Sequence, residues 1–339
     1  MKLGLSAETY RWVAFPWMRA DSQEFRFSGR TIPYFTTPEP PKNLDLPIDW
    51  MLDRVIENSL SSLSMECGWL GEERRAARFK AKTDDLEIAY FATVSANLAA
   101  SEEEWGAGAS GSGTSAHATP VFDPGVATVL RTGWTGGSPF EVVVRAMELA
   151  SAAGARMLSI VHGAPDRPNR FTKDPPLAQQ VERIIKNLRT LMPVAESMGL
   201  VLTNEAHMDY GCAELAEVLD GVDSPWLRHT FDFGDPVFVN EDPLEAAHRV
   251  AKYTVATHIK DLDISPLTEI ALGAVFHAPI GSGRVPVKKI LAVLQAEAPD
   301  PESLHHCLEV TPRQDNDVGL WVEASLAWLR KNCAEYWTS

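Results

Sequence analysis

What this chain does without narrows its function before any motif is considered. Cysteine is scarce: Cys67, Cys212, Cys307 and Cys333 are scattered through 339 residues with no CxxC pair. That spacing argues against a disulfide frame or a thiolate zinc site and fits reduced thiols in the cytosol. No apolar run approaches the roughly 20 residues that span a bilayer. The N-terminal MKLGLSAETYRW carries no apolar segment long enough for a signal peptide. A cytoplasmic protein without a membrane partner is therefore expected. Basic clusters are also missing, and the net charge is −15. A nucleic-acid backbone finds nothing to bind, so nucleic acid is not an expected partner.

What is present is the composition of a soluble enzyme, 45% hydrophobic and 23% charged. The length suits one large domain spanning 1–339. Ten tryptophans exceed what a core needs; each is expected either to line a ligand cleft, since sugars present apolar C–H faces to aromatic rings, or equally to serve packing and lid contacts.

The organising stretch runs from Leu200 to Asp263: LVLTNEAHMDY, LRHTFDFGDP and TVATHIKD. Three apolar runs too short for helices end in Glu205, Asp232 and His258, and a fourth, HHCLEVTP, ends in Glu309. Their separations of about 27, 26 and 51 residues fit a strand-plus-helix unit, with one longer loop before the last.

Earlier in the chain, Leu3–Glu8 reads as a first strand, LSMECGW as a second closing in Glu66 and Trp69, and LEIAYFATVSANL as a third. ARMLSIVHG is a fourth, closing in His162. Helical spacing over 47–63, 72–82, 140–153 and PPLAQQVERIIKNLRTLMPVAESMGL fills the gaps, with Pro193 a possible kink. Eight strands alternating with helices predict a single (β/α)8 barrel, an α/β TIM barrel. Two segments exceed ordinary βα loops, 11–47 and the Gly/Ser-rich 99–138. Both are expected as excursions or lids over the C-terminal face. GSGR, at 281–284, lacks the rest of a phosphate-binding fingerprint and reads as a flexible loop.

In a closed barrel the four strand-end residues converge at the C-terminal rim. A single such carboxylate is often a helix cap; four of a kind in successive units are not. Glu205, Asp232, His258 and Glu309 form an oxygen-rich set that suits Mn²⁺, Mg²⁺ or Co²⁺ better than a thiolate-seeking metal, with zinc left open. Such an ion would polarise a sugar carbonyl, and Glu205 or Glu309 could then take the neighbouring C–H proton. Return of the proton gives an isomer or epimer, whereas a leaving group β to the carbanion makes the enzyme a lyase. His162, His207, Asp235, Glu66 and Trp69 are candidate substrate contacts by their place at strand ends. Lys260 shares a strand face with His258 and either neutralises an oxyanion or pairs with Asp261, Asp263 or another acid.

From MKLGLSAET to the last helix, with Glu, Asp, an HIKD-type strand and Glu in that order, the chain resembles the xylose isomerase-like barrels. These include sugar phosphate isomerases and epimerases and the AP endonucleases of family two. The resemblance implies one divalent ion on Glu205, Asp232, His258 and Glu309, with the two glutamates as an acid/base pair. Where the family commonly has His or Asn at the end of its strand-six pattern, this chain has Asp235. The long excursions resemble the C-glycoside deglycosidase branch. That likeness implies a 3-oxo-glycoside lyase working with a small subunit; otherwise a homo-oligomer is expected.

Overall fold

Strand β5 (Ala89–Ser95) shows how the two faces of each strand are sorted. Tyr90, Ala92 and Val94 join the large apolar core shared with the helices, whereas Phe91 belongs to a separate small cluster with Ala256 and Cys307. Thr93 and Ser95 line a cavity above that cluster. Alternation with period two thus separates an outer, apolar face from an inner face that becomes polar toward the strand ends.

The computed structural model describes residues 2–10, 25–27, 30–32, 45–106, 137–162, 167–205, 207–267, 272–311 and 317–337. Eight parallel strands close a barrel in the order β1, β12, β9, β8, β7, β6, β5, β4. Besides β5 these are β1 (Lys2–Ser6), β4 (Ser62–Glu66), β6 (Met157–Val161), β7 (Val201–Glu205), β8 (Leu227–Asp232), β9 (Thr254–Ile259) and β12 (His305–Leu308). Pairing of Leu5 with Leu63 and of Ser6 with Ser64 closes the ring. Helices α1 (Asp45–Glu57), α2 (Glu73–Asp85), α4 (Pro139–Ala152), α5 (Leu177–Met198), α6 (Cys212–Val222), α8 (Pro243–Val250), α9 (Val287–Glu297) and α10 (Val318–Asn332) separate the strands. Short turns of helix, α3 (Glu102–Trp105) and α7 (Asp235–Phe238), add to them. This is the (β/α)8 barrel expected from the strand rhythm. No described helix is long and apolar enough to cross a membrane.

Local chemistry explains several boundaries. Asp242 caps α8 by accepting the Leu244 and Glu245 amides, with Pro243 in the first turn. α5 runs unbroken through Pro193 and stops at Gly199, whose φ of 61° is left-handed. α1 begins at Asp45 and ends at Glu57, earlier at both ends than its apolar spacing indicated, because Leu63 belongs to β4.

The main departure lies after β9. The segment read as one long loop folds into an antiparallel hairpin, β10 (Asp261–Leu267) and β11 (Leu272–Ala278), with Leu262 opposite His277. Within the 11–47 excursion, β2 (Phe25–Phe27) and β3 (Arg30–Ile32) form a two-stranded antiparallel sheet. Residues 11–24, 28–29, 33–44 and 107–136 lie outside the described residues, and most of both expected lids with them.

The GSGR loop is not free. Gly281, Gly283, Val285 and Leu262 all donate backbone N–H bonds to the Asp261 carboxylate, at 2.8, 2.9, 3.0 and 2.9 Å. Gly283 is required for the approach, since a Cβ there would fall 2.2 Å from Asp261 Oδ1. The glycines wrap a carboxylate of the chain's own, which corrects the expectation of a flexible loop.

Candidate active site

Register places the strand-end residues. Asp232 pairs with His258 across β8 and β9, while Glu205 pairs with Thr230 two residues below, the stagger of a tilted barrel. Glu309 follows β12 directly, and its amide bonds to the carbonyl of Ile259. Ligand atoms of Glu205, Asp232 and His258 lie within 4.8 Å of one another, all buried. Glu309 adjoins this group without completing it: Oε2 is 3.6 Å from His258 Nδ1, and Oε1 is 3.0 Å from Lys260 Nζ.

Each member is held in orientation by a small polar neighbour. Ser159 donates to Glu205 Oε2 at 2.7 Å and Ser6 to Glu309 Oε2 at 3.1 Å. Asp232 Oδ1 accepts the amides of Gly234 and Asp235, leaving Oδ2 to face Lys260 at 2.7 Å. His258 has Nε2 3.1 Å from Ser64 Oγ and Nδ1 2.7 Å from Glu205 Oε1. Burial alone would lower His258, but Glu205 and Glu309 raise it to about 10. The two carboxylates that favour a proton on Nδ1 equally favour a metal cation there. Two carboxylates and an imidazole whose other nitrogen has its own partner make a donor set that fits a divalent ion.

Lys260 completes the electrostatics. Its ammonium, buried among Asp232, Asp235 and Glu309, has 2.7, 3.2 and 3.0 Å contacts. Burial would lower it; the three carboxylates overcome this and hold it well above its ordinary value. Burial likewise raises Glu309, but Lys260 and His258 outweigh it and keep the carboxyl well below its ordinary range. Asp235 is pushed up to about 6, by burial first and despite Lys260. Of the acids expected as partners of Lys260, it is others than Asp261 and Asp263 that engage it. Asp261 faces the glycine loop, and Asp263 pairs with Arg284.

These groups open onto a cavity of about 250 Å³. Of the expected substrate contacts, Glu66, His207, Asp235 and Lys260 line it. His162 and Trp69 do not: both are buried, and His162 packs edge-on against Tyr210. Nor does any described tryptophan line it, because Trp69 and Trp105 are absorbed by the core. The apolar lining comes instead from Met65, Val161, Met208 and Phe238. Missing from the sequence-based set were Glu8, the inward serines Ser6 and Ser64, and His277 and Thr311. Period two along β1 and β4 could have revealed the serines. His277 gave no local signal, since the hairpin carries it there.

Residues 134–332 match the family described as xylose isomerase-like TIM barrel. The chain belongs to that family. No curated protein matches the sequence. Among solved structures, the barrel is similar to 3-keto-D-glucoside 4-epimerase from E. coli, with 14% identity, 98% of this chain and 99% of that chain covered, and a TM-score of 0.60. It is also similar to a probable 3-DHS dehydratase, AsbF, from Bacillus anthracis (12% identity, 98% and 100% covered, TM-score 0.61). A third similar structure is an IolI protein with a bound zinc atom (10% identity, 100% of both chains covered, TM-score 0.61). At these identities the likeness is one of fold. Within this xylose isomerase-like barrel, the rim of β7, β8, β9 and β12 carries the metal-type residues, at the C-terminal end where such barrels keep their chemistry.

Proposed function

We propose that the protein is a divalent-metal-dependent sugar isomerase or epimerase that acts on an uncharged keto-sugar by taking the proton beside its carbonyl. The observation that carries this reading is the pair Glu205 and Glu309, both oriented by serines, at 2.7 and 3.6 Å from the same His258 nitrogen. A single ion, with Mn²⁺ first and Mg²⁺ or Co²⁺ next, would be held by Glu205, Asp232 and His258 with Glu309 beside it. When bound, the ion polarises the carbonyl and stabilises the negative charge that develops on its oxygen.

The chain's own residues supply the rest. A Glu205 or Glu309 carboxylate accepts the C–H proton; it returns that proton to the adjacent carbon to give an isomer, or the other glutamate, having first taken a proton from water, delivers one from its own side to give an epimer. Both are held ionised, Glu205 chiefly by His258 against its burial. Against its burial, Lys260 helps keep Glu309 ionised and fixes both Glu309 and Asp232 in place, while burial and the neighbouring Asp235 push Asp232 up to about 7. Met208 and Phe238 cover apolar faces of the sugar.

Charge selects the substrate class. Among the described lining residues, Glu8, Glu66, Glu205, Asp235 and Glu309 face one ammonium, that of Lys260, which three carboxylates already engage. Carboxylates thus outnumber ammonium groups among these residues. A phosphate or carboxylate on the substrate would be repelled, so a neutral sugar is favoured. Cytoplasmic location and homo-oligomeric assembly belong to the same proposal.

The test is metal analysis, followed by EDTA treatment, reloading with Mn²⁺, Mg²⁺ or Co²⁺, and NMR detection of solvent deuterium entering D-fructose, L-ribulose and 3-oxo-glycosides. Metal-restored exchange with a new sugar as product supports the proposal. Exchange with release of water or an aglycone would make the enzyme a lyase. D-fructose 6-phosphate should be a poorer substrate than D-fructose; the reverse order would sink the charge argument.

A further inference from the structure

His277 stands apart from the metal-type residues in both origin and chemistry. It is delivered by β11 of the hairpin that interrupts the strand-helix rhythm, and its ring lines the cavity. The backbone amide of Thr311, two residues beyond Glu309, points at His277 Nδ1 at 3.1 Å. A backbone amide can only donate, so Nδ1 accepts, and the proton of the neutral ring resides on Nε2. Two segments distant in the chain, the hairpin and the loop after β12, thus lock one imidazole into one tautomer.

We propose that His277 is a substrate-binding residue whose Nε2–H donates a hydrogen bond to an oxygen of the keto-sugar held in the cavity. The surroundings suit this role. Burial, reinforced by nearby Lys260, lowers the ring to about 4, so it stays uncharged at neutral pH. It is therefore a neutral donor in a cavity otherwise dominated by carboxylates that can only accept. Sugar hydroxyls and carbonyls need donors as well as acceptors. Of the cavity-facing serine hydroxyls, Ser6 and Ser64 are turned to Glu309 and His258, and Ser95 meets the Arg167 guanidinium. A site that donates to one particular oxygen discriminates against sugars lacking it more strongly than apolar contacts can. His277 takes no carbon-bound proton; it positions the sugar for the carboxylates that do.

This inference rests on the keto-sugar reading above, and the experiment separates the two. His277→Phe keeps an aromatic ring but no donor, whereas His277→Gln keeps an N–H near the place of Nε2. Wild type, both variants and Glu205→Gln are reloaded with Mg²⁺. Deuterium exchange into D-fructose, L-ribulose and a methyl 3-oxo-glucoside is followed by NMR, with thermal melts as a check on folding.

His277→Phe should raise KM about 10- to 100-fold with kcat within a few-fold, and His277→Gln should recover most of the loss. Two-bond ¹H–¹⁵N spectra of the wild type should show His277 as the Nε2–H tautomer. An unchanged KM in His277→Phe, a Gln variant as impaired as Phe, or an Nδ1–H tautomer would overturn the proposal while leaving the metal-centre reading intact. Undiminished exchange in Glu205→Gln would overturn the metal-centre reading instead, and a wild type inert toward all three sugars would overturn both.

Discussion

Lys260 and Asp261 are neighbours in the chain, yet their charges are met in opposite ways. Lys260 turns into the barrel and is surrounded by the side chains of Asp232, Asp235 and Glu309. Asp261 turns out and is surrounded by four backbone amides of the hairpin and glycine loop. Side chains can exchange partners when an ion or a sugar arrives, whereas amides fixed by a glycine turn cannot. One residue thus serves an adjustable cluster at the candidate active site and the next fastens the frame that carries it.

The largest expected effect tests the inward side. Glu205→Gln should reduce metal-dependent deuterium exchange on the order of 10³-fold, with unchanged circular dichroism and thermal melting. A loss of a few-fold only would remove Glu205 from the chemistry. On the outward side, Asp261→Ala strands four buried or half-buried amides. It should cost about 3 kcal/mol in urea unfolding; a cost below about 1 kcal/mol would mean that water replaces the carboxylate. Gly283→Ala attacks the same nest sterically, with its new Cβ 2.2 Å from Asp261 Oδ1. A destabilisation of about 2 kcal/mol is expected from such overpacking, and an unchanged unfolding midpoint would show that the loop yields.

The smallest effect contrasts His258, raised by its carboxylates, with a histidine lowered chiefly by burial. His306, behind the barrel wall, bonds Thr257 Oγ1 at 2.7 Å and meets Trp337 edge-on. Burial lowers it to about 3. Its stabilisation is full above the unfolded value near 6.5 and is lost progressively as pH falls toward 3. The protein should lose about 1 kcal/mol through this group between pH 7 and 5.5. His306→Gln should flatten that slope in urea titrations; an unaltered slope would assign acid sensitivity elsewhere.

Much of the frame was legible because strand rhythm is local. The apolar runs ending in Glu205, Asp232 and His258 needed only period and punctuation to be placed at one rim, and Asp242-Pro243 announced α8. Between cleft and packing the sequence could not choose for the tryptophans, because size draws them into the core as readily as into a cleft: Trp69 and Trp105 are buried. The hairpin was illegible because DLDISPL carries charge and proline, and its partner strand declares itself only through pairing at a distance. With the hairpin unread, His277 had no path to the cavity, and the glycine loop had no visible anion to wrap.

By itself the sequence determined the alternation of strands and helices, the order of the four strand-end residues and the excess of negative charge. These are properties of neighbouring residues, set by periodicity and composition. Tertiary structure alone decided that Lys260 is shared by three carboxylates, that Glu309 adjoins a three-residue cluster, that Ser6, Ser64 and Ser159 orient it, and that Thr311 fixes the tautomer of His277. Each depends on barrel stagger and on side chains from distant segments meeting within hydrogen-bonding distance. No local pattern encodes such meetings.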